Sequence, residues 1–269
     1  MFAFCSKYTH GNYIFTSTTY NRDPDPFEIF SFTFATSNNS DDKTDDSNTP
    51  INIQIRGYKT DADEVWKSTG LTLWRASDYL CQYQMDNLHL FQNKHILEIG
   101  AGLGLNGILA WRASSSNSEV CITDGDSDAL VHLRDNVDRN RNADSEDGSD
   151  DNNNVGKVSC KQLIWGKDTS ESFLSEIAKD RTYDVILASD IIYSPVIVEP
   201  LWETIQTLLK KPSKEGEDGG VFVMAYARRK VPVSIEMVCE IGEEAGFVHE
   251  MVKEDKEEGI WVYKFRYKE

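Results

Sequence analysis

From His95 onward, strand-like and helix-like segments alternate along the chain. Short apolar runs are followed by stretches whose apolar residues recur at helical spacing. Such alternation predicts a parallel, doubly wound sheet, because a helix must return the chain between parallel strands. Two final strands without a helix between them predict that the last strand runs antiparallel. The predicted strands span residues 95–100, 120–125, 157–165, 183–190, 219–227, 247–252 and 260–267.

The first of these strands leads into a glycine-rich turn and a helix, in the segment HILEIGAGLGLNGILAW at residues 95–111. Turns of this kind hold nucleotide-like cofactors at the carboxyl end of a strand. Counted from Gly100, the dinucleotide fingerprint G-x-G-x-x-G fails at Leu105, although counted from Gly102 it ends on Gly107. A lone glycine pattern is weak evidence, so the neighbouring carboxylates must discriminate between cofactors.

Glu98 and Asp124 are those carboxylates. Glu98 stands two residues before Gly100, where it would repel a pyrophosphate but not S-adenosylmethionine, which carries a sulfonium, an ammonium and no phosphate. Asp124 ends the next strand, at about the 20-residue distance where an acidic residue binds a ribose diol. We therefore favour S-adenosylmethionine over NAD; the alternative for Glu98 is that it only caps the turn.

Composition restricts the partners and the compartment. A formal net charge of −17 disfavours a nucleic-acid binder and favours cationic partners. The 5 cysteines are scattered and form no C-x-x-C motif, which argues against a zinc site and for a reducing compartment. Because neither a membrane-spanning run nor a signal-peptide core is evident, we expect a cytoplasmic or nuclear monomer without membrane association.

Two acidic low-complexity tracts, residues 36–50 and 140–156, are predicted to be long disordered loops. The first separates residues 27–34 from residues 51–58, and both flanking segments alternate apolar and polar positions. This pattern predicts an N-terminal β-hairpin with an inserted tip. We accordingly divide the chain into a hairpin extension with an acidic loop, residues 1–65, and an α/β domain, residues 66–269.

Four segments carry a family resemblance: STGLTLW at residues 68–74, EIGAGLGLNGI at 98–108, LIWG at 163–166 and SDIIY at 189–193. They are similar, in order, to the T-G-x-x-x-W, E-x-G-x-G, L-x-W-G and D-x-x-Y landmarks of one family. From about Ile51 onward the chain resembles the seven-strand S-adenosylmethionine-dependent protein-lysine methyltransferases (methyltransferase family 16, methyltransferase-like 21 group), whose members modify chaperones, elongation factors and calmodulin. The resemblance implies a Rossmann-like seven-stranded sheet and methyl transfer to a lysine of a protein substrate.

The same resemblance assigns the residues around the cofactor. Trp74 would enclose its methionine end, and the backbone of Gly100, Ala101 and Gly102 would form a wall beside it. Asp124 would hold the ribose and Trp165 would face the adenine. Ser189 would lie beside the cofactor, and Glu98 is also placed there.

The chemistry assigns two catalytic candidates. Displacement at a sulfonium needs no metal, but a lysine ammonium must first lose a proton. Asp190 is the candidate to receive the amine and Tyr193 to shape its channel; alternatively, Asp190 caps the turn after its strand. Tyr226 and Arg228 are expected at the entrance, or in a solvated loop.

Three other functions stay open. A methyltransferase acting on nucleic-acid amines is disfavoured, because Asp190–Tyr193 lacks the two prolines of the N/D-P-P-Y/F motif. A small-molecule amine methyltransferase and a non-catalytic cofactor-binding protein are the others, and the intact acidic residues argue against the last.

Overall fold

The fold is an α/β sheet with a smaller N-terminal sheet beside it. In this computed structural model, residues 4–10, 13–19, 26–35, 50–59, 68–142, 156–213 and 218–268 are described. The strands are β1 (Phe4–His10), β2 (Tyr13–Thr19), β3 (Phe27–Phe34), β4 (Ile51–Tyr58), β5 (His95–Glu98), β6 (Glu119–Asp124), β7 (Lys157–Gln162), β8 (Val185–Ser189), β9 (Val221–Ala227), β10 (Phe247–Asp255) and β11 (Ile260–Tyr267). The helices are α1 (Ala76–Asp86), α2 (Leu105–Ala113), α3 (Ser127–Asn142), α4 (Lys167–Glu176), α5 (Val198–Leu208) and α6 (Ile235–Glu244).

The large sheet has 7 strands in the order β10-β11-β9-β8-β5-β6-β7. Strands β5 to β9 pair in parallel, whereas β11 is antiparallel to both β9 and β10. The predicted doubly wound sheet with an antiparallel last strand is confirmed. Its strand order reverses direction between β5 and β8, and ligands bind at such a switch point, beyond the carboxyl ends of the strands.

Helices cover both faces of this sheet, which gives two separate apolar cores. On one face, Leu80 of α1, Leu109 of α2 and Leu133 of α3 are fully buried. On the other face, α4, α5 and α6 pack together around Trp202, whose Nε1 donates to the carbonyl of Val238 at 2.9 Å. The central strands β5, β6, β8 and β9 are largely buried on both faces, as their continuous apolar runs require.

The N-terminal sheet has the order β1-β2-β3-β4, so the predicted hairpin of β3 and β4 is confirmed and two further strands extend it. Helix α3 covers the open edge of β4 with two asparagine side chains one turn apart. The Asn136 side chain accepts a hydrogen bond from the N–H of Arg56 and donates one to the carbonyl of Arg56. The Asn140 side chain makes the same two bonds with the backbone of Gln54. The backbone groups of an edge strand are thereby satisfied by a helix in place of a further strand.

Several boundaries differ from the sequence predictions. Helix α1 had no predicted counterpart, and α3 continues to Asn142, so the second acidic tract begins inside a helix. Residues 36–49 and 143–155 of the two tracts, and the proposed division at residue 65, lie outside the described residues. None of the helices in the described ranges is long and apolar enough to cross a membrane.

Candidate active site

A cavity of about 630 Å³ opens at the carboxyl ends of β5, β6 and β8. Its size lies within the range of about 300–1,000 Å³ that small-molecule sites occupy. The loops that follow these strands and the segment that precedes α1 form its wall. The lining residues are Ser68, Thr69, Gly70, Thr72, Leu73, Trp74, Ser77, Gly100, Ala101, Gly102, Leu103, Leu105, Asp124, Gly125, Asp126, Leu163, Ile164, Trp165, Ser189, Asp190, Ile191, Tyr193, Ile197 and Pro200.

The turn after β5 brings backbone close to this cavity, and two of its positions require glycine. Gly100 has φ of +60°, and a Cβ there would lie 2.8 Å from Ile191 and 3.0 Å from Trp165. Gly102 has φ of +54°, and its Cβ would lie 3.0 Å from the carbonyl oxygen of Gly70. Left-handed backbone and close approach together explain the glycines here, independently of any ligand.

Glu98 lies beneath the turn and is not among the residues that line the cavity. Its side chain is buried, and its Oε2 accepts a hydrogen bond of 2.8 Å from the N–H of Gly107 in the first turn of α2. Burial raises the pKa of Glu98 to about 8, against the lowering effect of bonds from Gly107 and Asn106. The geometry therefore matches the capping alternative for Glu98.

Asp124 lines the cavity and also ties its wall together. Its Oδ2 accepts from the N–H of Gly102 at 2.8 Å, and its Oδ1 accepts from the N–H of Asp126 at 2.9 Å. Burial raises the pKa of this carboxyl, and the backbone donors act in the opposite direction. The glycine turn and the end of β6 are thus held by one side chain that also faces the cavity.

The charged side chains in the cavity lining are all acidic. They are Asp124, Asp126 and Asp190, and no lysine or arginine is found among the lining residues in the described ranges. A pyrophosphate would meet like charge here, whereas a ligand with a sulfonium and an ammonium would meet opposite charge. The donor set thus fits the cofactor that the sequence motifs imply.

Two tryptophans and a serine complete the expected cofactor set. Trp74 donates from Nε1 to the carbonyl of Thr69 at 2.7 Å, which fixes one edge of its ring at the cavity. Trp165 lies over Gly100 on another wall. Ser189 shares a 3.0 Å hydrogen bond with Ser77 of α1 and accepts another of 3.0 Å from Nδ2 of Asn106.

Asp190 is held in a left-handed conformation, with φ of +57°, directly after β8. Its Oδ2 accepts from the N–H of Ala76 at 3.0 Å and pairs with Nη2 of Arg229 at 2.8 Å. Its Oδ1 accepts from the N–H of Ala227 at 3.2 Å. Burial raises the pKa of this carboxyl, and the Arg229 guanidinium lowers it. Asp190 therefore joins three loops and also lines the cavity.

The rim of the cavity is partly apolar and open to solvent. Tyr193 is 47% exposed and Ile164 is 58% exposed, although both line the cavity. Tyr226 and Arg228, which were expected at the entrance, instead line a separate cavity beside Trp261. Ser77, Asn106 and Arg229 are the site residues that sequence reasoning missed. Asn106 lies within the glycine-turn segment, but Ser77 and Arg229 carry no motif that could have marked them.

Comparison with known proteins places this arrangement among methyltransferases. A family model described as lysine methyltransferase matches residues 55–241. The protein N-lysine methyltransferase METTL21A of Xenopus tropicalis is 36% identical over 153 residues, which cover 56% of this chain and 60% of that protein. The protein N-terminal and lysine N-methyltransferase EFM7 of Cryptococcus neoformans is 28% identical over 150 residues, covering 55% of this chain and 46% of that protein. The chain thus aligns with about half the length of the curated relatives it matches.

Two solved structures illustrate the similarity of the chain path. The precorrin-6y C5,15-methyltransferase of Geobacter metallireducens has a TM-score of 0.46 and 15% identity, covering 70% of this chain and 87% of that one. A methyltransferase from Pyrococcus furiosus has a TM-score of 0.45 and 16% identity, covering 71% of this chain and 81% of that one.

Proposed function

The chain belongs to the lysine methyltransferase family, and from that membership we propose that it transfers a methyl group from S-adenosylmethionine to a lysine side chain of a protein. The family implies S-adenosylmethionine as the methyl donor. The observation that carries the proposal is the acidic lining of the cavity at the switch point of the sheet. A cationic methyl donor and a cationic acceptor both suit that lining.

We assign the cofactor contacts to residues whose positions suit them. Asp124 would accept hydrogen bonds from the ribose hydroxyls, and Trp165 would give the adenine an apolar face. Gly100, Ala101 and Gly102 would supply backbone at the methionine end, with Trp74 and Ser189 closing that end. Glu98 acts one step removed, by holding the first turn of α2 and the glycine turn in register.

The chain's own contribution to methyl transfer is positioning and control of a proton. When bound, S-adenosylmethionine supplies an electrophilic methyl group on a sulfonium. Asp190 would accept a hydrogen bond from the acceptor nitrogen and direct its lone pair toward the methyl carbon, with Tyr193 beside the channel. The arriving lysine ammonium must release its proton to solvent before it attacks, and a desolvated site beside the positive charge of the cofactor lowers the pKa of the ammonium.

The exposed rim supports a macromolecular acceptor. Tyr193 and Ile164 present apolar surface to solvent around the cavity, where a protein segment carrying the lysine could cover it. The formal net charge of −17 favours approach of a basic partner and disfavours a nucleic-acid phosphate backbone.

Labelling of a cell extract tests this function. The protein is incubated with extract and methyl-labelled S-adenosylmethionine, and labelled bands are hydrolysed to amino acids. We expect label in protein, recovered as methyl-lysine, and we expect it to be lost with an Asp190→Ala variant. Label recovered in RNA or in small molecules, or label absent although S-adenosylmethionine binds, would contradict the proposal.

We further propose that the protein acts in the cytoplasm as a monomer, without nucleic acid, and that residues 1–65 form an extension of the domain at residues 66–269. The scattered cysteines support a reducing compartment, and the acidic composition supports the absence of nucleic acid. Sedimentation and cell fractionation test it; a stable dimer or a nucleic-acid complex would contradict it.

A further inference from the structure

Arg229 contacts two cavity residues from outside the cavity. It follows β9, and its Nη2 lies 2.8 Å from Oδ2 of Asp190. Its Cζ lies 4.3 Å from the centre of the Trp74 ring, within the distance of a cation–π contact. The three side chains come from three different loops, which precede α1, follow β8 and follow β9.

Burial strengthens the ion pair, and the Trp74 ring is fixed in place beside it. The Asp190 side chain is 2% exposed and that of Arg229 is 23% exposed, so solvent screens their attraction only weakly. The Trp74 ring is fixed at one edge by its bond to Thr69, and the guanidinium covers a face. A guanidinium can bond a carboxylate and stack on a ring simultaneously, because its donors lie in its own plane.

We propose that Arg229 is a positioning residue for methyl transfer, which holds Trp74 at the cofactor cavity and keeps Asp190 charged and correctly oriented for the acceptor amine. The part concerning the amine rests on the proposed function; the part concerning Trp74 rests only on cofactor binding.

The charges around the pair come from several elements. Tyr226 of β9 feels the charges of Asp190, Arg228 and Arg229 and that of Glu236 of α6, and Arg75 acts on Asp78 at the start of α1. Only Arg229 forms an ion pair with Asp190 among the described residues. Without its charge, only the backbone N–H groups of Ala76 and Ala227 oppose the effect of burial, so the pKa of the Asp190 carboxyl rises.

Three variants isolate the role. Arg229→Met removes the charge but keeps a long apolar stem, and Arg229→Lys restores the charge without the planar stack. Arg228→Met is the matched control, because Arg228 lies in the same loop but contacts a different ring. Its Cζ lies 5.6 Å from the centre of the Trp261 ring, and its backbone N–H donates to the carbonyl of Gly259. Thermal melting is measured for each, so that unfolded protein is not mistaken for a loss of function.

Calorimetric titration with S-adenosylmethionine tests the contact with Trp74 whether or not an acceptor is known. We expect R229M to bind about threefold to tenfold more weakly, the scale of a lost cation–π contact, and R228M to bind like the wild type. Equal binding by R229M and the wild type overturns the proposal, whatever the activities are.

The pH dependence of turnover on labelled protein tests the contact with Asp190. If Asp190 acts as a charged group, its higher pKa in R229M moves the acid limb of the profile to higher pH, and R229K returns it toward the wild-type position. A rate that falls equally at every pH indicates a merely structural role and overturns the proposal. A wild type that binds cofactor but labels no protein contradicts the proposed function, and the titration then still decides the role of Arg229.

Discussion

At the scale of single residues, the carboxylates of the site hold backbone groups in addition to the ligand roles proposed for them. Asp124 bonds the N–H groups of Gly102 and Asp126, and Asp190 bonds those of Ala76 and Ala227. Substituting either residue therefore changes the shape of the cavity together with its charge. Binding and turnover must be measured separately to distinguish these effects.

Asp124→Ala should weaken S-adenosylmethionine binding by about 1–3 kcal/mol, because the N–H of Gly102 loses its partner and the ribose loses an acceptor. Calorimetry measures the change, and Asp128→Ala, an exposed position in the first turn of α3, is the control. We also expect no useful binding of NAD by the wild type. Unchanged affinity in Asp124→Ala would remove Asp124 from the cofactor site.

Asp190→Ala should abolish most turnover but weaken cofactor binding far less, because the bond to the acceptor affects turnover alone. Asp190→Asn keeps an oxygen acceptor but loses the charge, so it should retain more activity than the alanine variant if positioning dominates. Steady-state kinetics and cofactor titration are compared for both. Simultaneous loss of folding and cofactor binding would instead identify Asp190 as a structural cap.

At the scale of an element, the β5–turn–α2 unit depends on a buried carboxyl group. Glu98 has a pKa of about 8, well above its value of 4.5 in an unfolded chain. The folded state thus binds this proton more tightly, so the contribution to stability is complete below pH 4.5 and is lost as pH rises through 8.

The variant Glu98→Gln should isolate that dependence, because it cannot ionise but keeps an oxygen for the N–H of Gly107. As the pH rises from 4.5 to about 8, the wild type should lose on the order of a few kcal/mol of unfolding free energy relative to this variant. Chemical denaturation at several pH values measures the difference. A difference independent of pH would show that Glu98 is ionised throughout, and the high pKa would be wrong.

At the scale of the whole molecule, α3 joins the two sheets. Asn136→Ala leaves the N–H and the carbonyl of Arg56 without these partners, so we expect a loss of about 1–3 kcal/mol in unfolding free energy. Asp135→Ala, on the exposed face of the same helix, is the control and should change stability little. Equal stability of the two variants would mean that the asparagine bonds contribute nothing to the join.

Replacing residues 144–154 with a short Gly/Ser linker should leave the melting temperature nearly unchanged, because that composition has little apolar surface to bury. The flanks have their own anchors: Asn140 bonds Gln54, and the carbonyl of Gly156 accepts from Trp111. A much lower melting temperature would show that the segment contributes to the folded core.

The local pattern of apolar and turn residues was sufficient to predict the sheet, the glycine turn and the hairpin of β3 and β4. Periodicity and turn residues depend on neighbours in sequence, so they can be read along one chain. Helix α1 could not be predicted in this way. Residues along most of its length, from Ala76 to Met85, are buried, so its apolar residues do not mark one face at regular helical spacing. The four motifs likewise predicted the cofactor cavity, because their residues follow or precede predicted strands.

Sequence alone thus determined the α/β alternation, the family motifs and the acidic character of the site. Tertiary structure decided which partner each buried polar group takes: Glu98 holds α2, Asn136 covers the edge of β4, and Arg229 joins Asp190 to Trp74. These pairs are up to 155 residues apart, as for Trp74 and Arg229. A buried polar group must find a partner wherever the fold brings one close, and no local pattern records that distance.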